Sequence, residues 1–301
     1  NRFNLLKVYE GDAVWNSQLE LFYLKFRKIK YDEKFKKKKI SFTFLSEKRS
    51  FLLPLKWNDF GYSRLWQFNL HYFNWSREWL DYLIKKNKWP SQANHLEDLI
   101  DDWIDNNQIG DGDGWNSYTL SIRIRNWIYL FRVSPELIND KRINSLWKQI
   151  CWLHTHQEDY YGGNHLLENL ITLVIAGVQF HGELPSYIHN KALKKLELEL
   201  KVQILKDGGH FERSAAYHFL ILDRLTELAF IMRRISGNIP CWLSESIKKM
   251  LIWGRKVILN KNLLPRFNDS AADICYNPRI ILKFAESLLI STKFNKPSLR
   301  Q

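Results

Sequence analysis

Cysteine is scarce in this chain, and the three residues, Cys151, Cys241 and Cys275, are widely spaced without any Cys-x-x-Cys pattern. The sequence therefore predicts neither a disulfide framework nor a zinc site. The Gly-rich stretch from Asp111 to Asn116 lacks the Glu that closes a calcium loop. We expect no metal and no cofactor.

Long apolar runs are missing as well. No run reaches the roughly 20 residues that a membrane-spanning helix needs, so no transmembrane segment is expected. The chain starts at Asn1 without the basic-then-apolar pattern of a signal segment. A repeat of fixed period, which would indicate a regular array, is also absent.

Acidic residues are too few to balance the basic ones. The 45 Lys and Arg residues exceed the 32 Asp and Glu residues, which gives a formal net charge of +13. The summed field of such a chain attracts polyanions, and nucleic acid, anionic lipid and acidic polysaccharide all fit. The basic block at 34–39 also suits a solvated surface that only aids solubility. Because the sequence has no recognised DNA- or RNA-binding motif, nucleic acid is not favoured as a partner.

Apolar and aromatic residues, by contrast, are plentiful. Hydrophobic residues make up 45% of the 301 residues, and 13 of them are Trp, so a large core can form. Residues 1–60 are predicted to form an N-terminal appendage, with extended segments at Ile40–Leu45 and Phe51–Leu55 around a polar turn at Ser46–Arg49.

The rest of the chain, residues 61–301, is predicted to be one helical domain. Candidate helices lie at 66–86, 93–107, 119–132, 140–157, 164–180, 186–205, 214–235, 243–260 and 278–291. Their separators are polar or contain Gly or Pro, as in Ser236–Pro240. Serial helices with short connections predict a mainly α fold of antiparallel hairpins wound into a solenoid or toroid.

Two short polar islands interrupt the apolar helix faces. In the first, His165 and Asn169 are spaced i, i+4, and Asn164 lies near a helix N-terminus, where a carboxylate is favoured. The alternative for Asn164 is that its side chain only caps the helix.

The second island contains His210, Arg213, Tyr217 and His218. A Tyr close to an Arg has its phenolate favoured, which suits proton transfer. Surface hydrogen bonds at a helix start are the alternative.

Three further groups are candidates for sugar binding. The stretch from Trp66 to Trp75 mixes rings with amides and includes His71 and Tyr72, although a buried aromatic cluster explains it equally well. Arg123 is interpreted as a groove or ion-pair residue. Asn268 belongs to a loop that could close near a site or form only a turn.

Taken in order, six segments of the chain resemble the heparinase II/III-like family of polysaccharide lyases. They are Phe68–Phe73, Gly112–Trp115, Ser121–Trp127, Gly163–Asn169, Asp207–Ser214 and Phe267–Ala271. The resemblance implies an incomplete (α/α) toroid that cleaves a uronic-acid-containing acidic polysaccharide by β-elimination. In that reaction the proton on C5 is removed, the 4-linked group leaves and an unsaturated sugar remains.

The resemblance also implies roles for individual residues. The family offsets the charge of the uronate carboxylate with an Asn, often beside a His, and these match Asn164 and His165, because proton removal builds up further negative charge. A Tyr acts as acid and in some members as base, and it matches Tyr217. The predicted substrate-binding residues are His71, Tyr72, Arg123, Asn169, His210, Arg213, His218 and Asn268.

The chain departs from the family pattern at its end. Many members carry a further His on a C-terminal β-sandwich, whereas this sequence stops at Gln301 after a linker-like stretch at 291–298. The chain is then a fragment, or uses Tyr217 for both proton transfers, or only binds sugar as a module linked to polysaccharide synthesis or export. The linker-like stretch favours the fragment. The resemblance implies a periplasmic or secreted location.

Overall fold

The computed structural model describes residues 13–16, 35–36, 39–59, 61–89, 94–160, 162–259, 263–270 and 274–290. Lys34, Lys37 and Lys38 of the basic block at 34–39 lie outside the described residues, and the stretch at 291–298 lies wholly outside them.

Helices dominate the described chain, which confirms the mainly α prediction. The α-helices of the described residues are α1 (Arg64–His71), α2 (Asn74–Lys85), α3 (Asn94–Asn106), α4 (Ser117–Val133), α5 (Asp140–Thr155), α6 (Gly163–Gly177), α7 (Glu183–Gln203), α8 (Ala215–Ser236), α9 (Cys241–Val257) and α10 (Pro278–Ile290). Short 3₁₀ helices at Asp113–Trp115 and Pro135–Leu137 flank α4. Over the same residues, no helix combines the length and the apolar character needed to cross a membrane.

The helix predicted at 66–86 is wrong as a single element, because the structure divides it into α1 and α2. Phe73, between them, has a left-handed φ of 58° and is fully buried. Neighbouring side chains satisfy the interrupted backbone: Trp75 Nε1 donates to the Leu70 carbonyl at 2.9 Å, and Ser76 Oγ donates to the Phe73 carbonyl at 2.7 Å. Neither Gly nor Pro marks the break, so the sequence pattern did not predict it.

Five short strands accompany the helices in the described residues. They are β1 (Val14–Trp15), β2 (Phe35–Lys36), β3 (Lys39–Phe44), β4 (Glu47–Leu52) and β5 (Phe180–His181). β2, β3 and β4 form an antiparallel sheet in that order, and β1 pairs with β5. The turn predicted at Ser46–Arg49 is wrong, because the hairpin closes through Leu45 and Ser46, whose φ angles are 53° and 63°. Two residues with positive φ suffice for a tight hairpin, so β4 begins at Glu47.

The chain forms two compact units. The first comprises Asn1–Asp159 and Thr172–Asn190, and the second comprises Tyr160–Ile171 and Lys191–Gln301. The division into 1–60 and 61–301 stays a prediction.

The first unit has an aromatic core. Trp57, Trp66, Trp103 and Trp127 are all buried, and Trp103 packs edge-on against Trp127 with ring centroids 5.6 Å apart. Edge-to-face packing of this kind adds to the free energy gained from burying the rings.

The second unit is helical, and in it α8 packs against α9 and α10. Leu222, Leu225 and Leu228 recur at helical spacing on α8 and are fully buried. The helix end predicted at Ser236–Pro240 is confirmed: α8 stops at Ser236, and Gly237 caps it with a left-handed φ of 81°.

Candidate functional site

Asn164 and His165 lie in the first turn of α6, in the second unit. The Leu166 amide donates to the Gly162 carbonyl at 3.1 Å, so the helix starts before Asn164 and this residue is not its N-cap. Asn164 is 7% exposed and His165 is exposed. Asn169, four positions after His165, is fully buried, so the predicted polar face is not presented to solvent as a pair.

The donor groups of Asn164 are directed at Glu212. Asn164 Nδ2 lies 2.8 Å from Oε2 and 3.1 Å from Oε1, and the Asn164 backbone amide donates to Oε1 at 2.5 Å. Because an ionised carboxylate can only accept hydrogen bonds, the nitrogen of the Asn164 amide must face it. Glu212 therefore lies at the N-terminus of α6, where the helix dipole favours a negative charge.

Gly163 makes this close approach possible. A Cβ at Gly163 would lie 2.5 Å from Glu212 Oε1, well inside contact distance. Gly163 also has a left-handed φ of 60°, which a residue with a side chain rarely adopts.

The segment before α8 is a loop, and α8 itself begins at Ala215, within one residue of the helix predicted at 214–235. The loop turns at Gly208, whose φ is 91°, and Arg213 also has a positive φ of 55°. Asn268, in the segment 263–270, donates through Nδ2 to the Arg213 carbonyl at 2.9 Å and to the Glu212 carbonyl at 3.4 Å. Arg213 and Asn268 are both exposed. Through its two hydrogen bonds, Asn268 fixes the loop backbone at Arg213 and at Glu212, the residue that contacts Asn164.

Tyr217 lies in the first turn of α8, which begins at Ala215. The side chain is partly buried, and burial, then the negative charges of Asp269 and Glu212, raise the pKa of its phenol. The expectation that Arg213 favours the phenolate is wrong, because the charges that act on Tyr217 are those of carboxylates. The phenol therefore carries its proton at neutral pH.

His210 and His218 are neutral, buried histidines. His210 Nε2 lies 3.1 Å from Gln203 Oε1, and His218 Nε2 lies 3.1 Å from the Met250 carbonyl. Both partners are acceptors, so each ring carries its proton on Nε2. Burial lowers the pKa of His210 to about 4 and that of His218 to about 3. Within the described residues neither Nδ1 has a hydrogen-bond partner.

His71, Tyr72 and Arg123 belong to the first unit. His71 is fully buried, and Trp103 Nε1 donates to its Nδ1 at 3.0 Å. Arg123 is fully buried too, with Nε donating to Gln149 Oε1 at 2.8 Å and its guanidinium 3.8 Å from the Trp103 ring centroid.

Tyr72 is partly buried, and its carbonyl accepts from Asn126 Nδ2 at 2.8 Å. The contacts described for the buried residues His71 and Arg123 are with other residues of the first unit, so they serve the fold. Substrate binding by the predicted residues stays a prediction.

Sequence reasoning missed Glu212 and Asp269. Both lie in segments that the motifs had singled out, but nothing in the sequence brings residue 212 to residue 164 or residue 269 to residue 217. It also missed the ion pair in which Arg224 Nε, on a partly buried side chain, lies 3.3 Å from Oε1 of the buried Glu168. In the ranges that the structure describes, no group of three or more His, Cys, Asp or Glu side chains could hold a metal ion.

Comparisons with solved structures show a shared fold. A crystal structure of heparinase III has a TM-score of 0.60 and 20% sequence identity, over 71% of this chain and 36% of that one. Heparan sulfate lyase HepC from Pedobacter heparinus has a TM-score of 0.56 and 19% identity, over 74% of this chain and 37% of that one. A heparinase III gene product has a TM-score of 0.54 and 19% identity, over 82% of this chain and 44% of that one.

This chain thus spans less than half the length of these solved structures. Their likeness confirms the predicted fold class, a mainly α incomplete (α/α) toroid. The comparison with curated proteins gave no match.

The family model described as Heparinase II/III N-terminus matches residues 15–282. That range covers most of the chain and includes every predicted site residue. The chain belongs to the heparinase II/III N-terminus family.

Proposed function

We propose that the chain is a polysaccharide lyase, or the N-terminal domain of one, that cleaves a uronic-acid-containing acidic polysaccharide by β-elimination. The observation that supports this best is Tyr217, a partly buried phenol that burial and two carboxylates keep protonated. It lies in the same unit as Asn164, whose amide is at the N-terminus of α6. The heparan sulfate lyase among the structural relatives makes a glycosaminoglycan the first substrate to try.

In the proposed mechanism, Asn164 and His165 offset the charge of the uronate carboxylate. Removal of the C5 proton builds negative charge next to that carboxylate, so donors already in place lower the barrier. Tyr217 donates its proton to the oxygen of the leaving sugar. We assign Tyr217 the acid step alone, since a phenol with a raised pKa is a poor base near neutral pH. The C5 proton then passes to a second group, and the family resemblance makes the further His that many members carry the proposed acceptor.

Exposed groups of the second unit are proposed to contact the substrate directly. Arg213 carries the charge that a carboxylate or sulfate group would require. Asn268, whose Nδ2 donates to the Arg213 and Glu212 carbonyls, is proposed to accept a hydrogen bond from a sugar hydroxyl through Oδ1. His210 and His218, whose Nε2 atoms have internal partners, are proposed to support the segment that carries Arg213.

The experiment combines a polymer panel with one substitution. Heparan sulfate and other uronate polymers are incubated with the protein, and the unsaturated product is followed by its ultraviolet absorbance. Tyr217→Phe should abolish turnover and leave polymer binding largely intact, because only the proton donor is lost. Tyr187→Phe makes the same chemical change on α7 and should keep full turnover. A panel that yields no product with the full-length protein, or equal loss of binding and turnover in Tyr217→Phe, would contradict the proposal.

A second candidate is a non-catalytic module that binds acidic polysaccharide, linked to its synthesis or export. The net charge of +13 favours this function independently of Tyr217. It predicts binding by the wild-type protein without product, and the same binding by Tyr217→Phe.

A further inference from the structure

Glu212 contacts Asn164, which offsets the substrate charge in the proposed mechanism, and its own charge acts on Tyr217, the proton donor. The mechanism itself gives Glu212 no role. Its carboxylate binds both the backbone amide and the side-chain amide of Asn164. Its charge also raises the pKa of Tyr217. No other described carboxylate hydrogen-bonds to Asn164 while acting on Tyr217.

The side-chain amide of Asn164 takes a single orientation only when a hydrogen-bond partner selects it. The terminal torsion of an Asn side chain is broad and roughly two-fold, so the torsion itself does not decide which end of the amide points where. A carboxylate accepts only, which forces Nδ2 of Asn164 toward Glu212. Asn164 Nδ2 lies within 3.1 Å of both Glu212 oxygens, so the contact selects the orientation in which Nδ2, and not Oδ1, faces Glu212.

We propose that Glu212 is a positioning residue for the β-elimination. It holds the amide of Asn164 in one orientation, from which the second N–H of Nδ2 reaches the uronate carboxyl group. This inference rests on the proposed function.

The charge of Glu212 has a second consequence. A carboxylate at the amide of Asn164 repels the carboxylate of the substrate, so Glu212 weakens ground-state binding at the same position. Removing its charge should therefore lower kcat without raising KM. Loss of a purely structural contact would instead disorder Asn164 and raise KM.

The test uses Glu212→Gln in the full chain, with heparan sulfate or whichever polymer of the panel yields product. Gln keeps the shape of Glu but offers a donor, so the Asn164 amide loses its fixed direction. Misplacement of a group in the reacting centre by about 1 Å costs on the order of 100-fold in rate, and we expect a fall in kcat of that size. The alkaline limb of the pH profile should also move to lower pH, because a charge that raises the pKa of Tyr217 is gone.

Two sets of control variants separate positioning from other effects. Gly162 and Gly163 have similar positive φ angles, 61° and 60°, but only a Cβ at Gly163 would meet Glu212. Gly163→Ala should therefore lower kcat as Glu212→Gln does, and Gly162→Ala should not. Asp269→Asn removes the other charge near Tyr217 and should move the alkaline limb without the fall in kcat.

A double-mutant cycle tests whether Glu212 acts through Asn164. In an Asn164→Ala background, Glu212→Gln should cause no further fall in kcat. Additive losses, an unchanged kcat in Glu212→Gln, or a raised KM would each overturn the positioning role while the lyase function stands. A wild-type protein that forms no product from any polymer would overturn the lyase function itself, and this role with it.

Discussion

His71 shows how a polar side chain becomes part of an aromatic core. The indole nitrogen of Trp103 can only donate, so the Nδ1 atom that it contacts at 3.0 Å must be unprotonated. His71 Nε2 then donates to Asn58 Oδ1 at 3.3 Å. The ring is neutral, in agreement with burial and the nearby Arg123 charge, which lower the pKa of His71 to about 3.

His71→Leu should destabilise the protein, because it leaves the buried Trp103 N–H without an acceptor. Such a loss costs about 1–3 kcal/mol of unfolding free energy. His181, which is exposed on β5, provides the control, and His181→Leu should change the unfolding free energy by no more than about 0.5 kcal/mol. Urea unfolding monitored by circular dichroism measures both. Equal losses of unfolding free energy in the two variants would contradict a stabilising role for the hydrogen bond between Trp103 and His71.

Residue types were easier to predict than their partners. The sequence singled out Asn164 and Tyr217 because amides and phenols are unusual in apolar helix faces. It also paired Tyr217 with Arg213, four positions earlier, on the assumption of a continuous helix. Helix α8 starts only at Ala215, so the pairing fails, and the charges that reach Tyr217 come from Glu212 and from the separate segment that carries Asp269.

At the scale of the element, the start of α8 depends on two serines. Ser214 Oγ accepts from the Tyr217 amide at 3.2 Å, and Ser270 Oγ accepts from the Ala216 amide at 3.0 Å. The two hydroxyls also hydrogen-bond to each other at 2.9 Å. Two of the N-terminal amides that a helix leaves without internal partners are thereby satisfied.

Ser270→Ala should cost about 1 kcal/mol of unfolding free energy, although Ser270 lies outside the helix that it caps. Ser214→Ala should cost a similar amount, and the two effects should not add, because the hydroxyls share one hydrogen bond. On α10, Ser287 Oγ donates to the Phe284 carbonyl within the helix, and Ser287→Ala should be neutral. Thermal unfolding of these three single variants and of the Ser214→Ala/Ser270→Ala double variant decides, and strict additivity would contradict a shared cap.

Elements with strong periodicity were predictable, and their interruptions were not. The helices predicted at 140–157 and 278–291 match α5 and α10 to within two residues at each end. The break between α1 and α2 was missed because it depends on the buried ring of Phe73 and on hydrogen bonds that replace the helical ones. The pairing of β1 with β5 joins distant parts of the sequence, which no local pattern can reveal.

At the scale of the whole molecule, three buried neutral histidines make stability depend on pH. Burial lowers the pKa of His71 and His218 to about 3 and that of His210 to about 4, from a value of 6.5 in the absence of burial. In the unfolded chain these histidines take up protons near pH 6.5, while the folded protein keeps them neutral. The unfolded state thus binds more protons, and acid favours it.

The stability that these histidines preserve is present above pH 6.5 and is lost as the pH falls toward their folded values. Each contributes at most about 1.4 kcal/mol per pH unit within that window. Between pH 6 and pH 5 most carboxylates are still ionised in both states, so the histidines dominate the slope. We expect the unfolding free energy to fall over this interval, with His71→Leu removing one of the three contributions and His181→Leu removing none. Urea unfolding at pH 7, 6 and 5 measures the slope, and equal stabilities at the three values would show that the histidines are protonated in the folded protein.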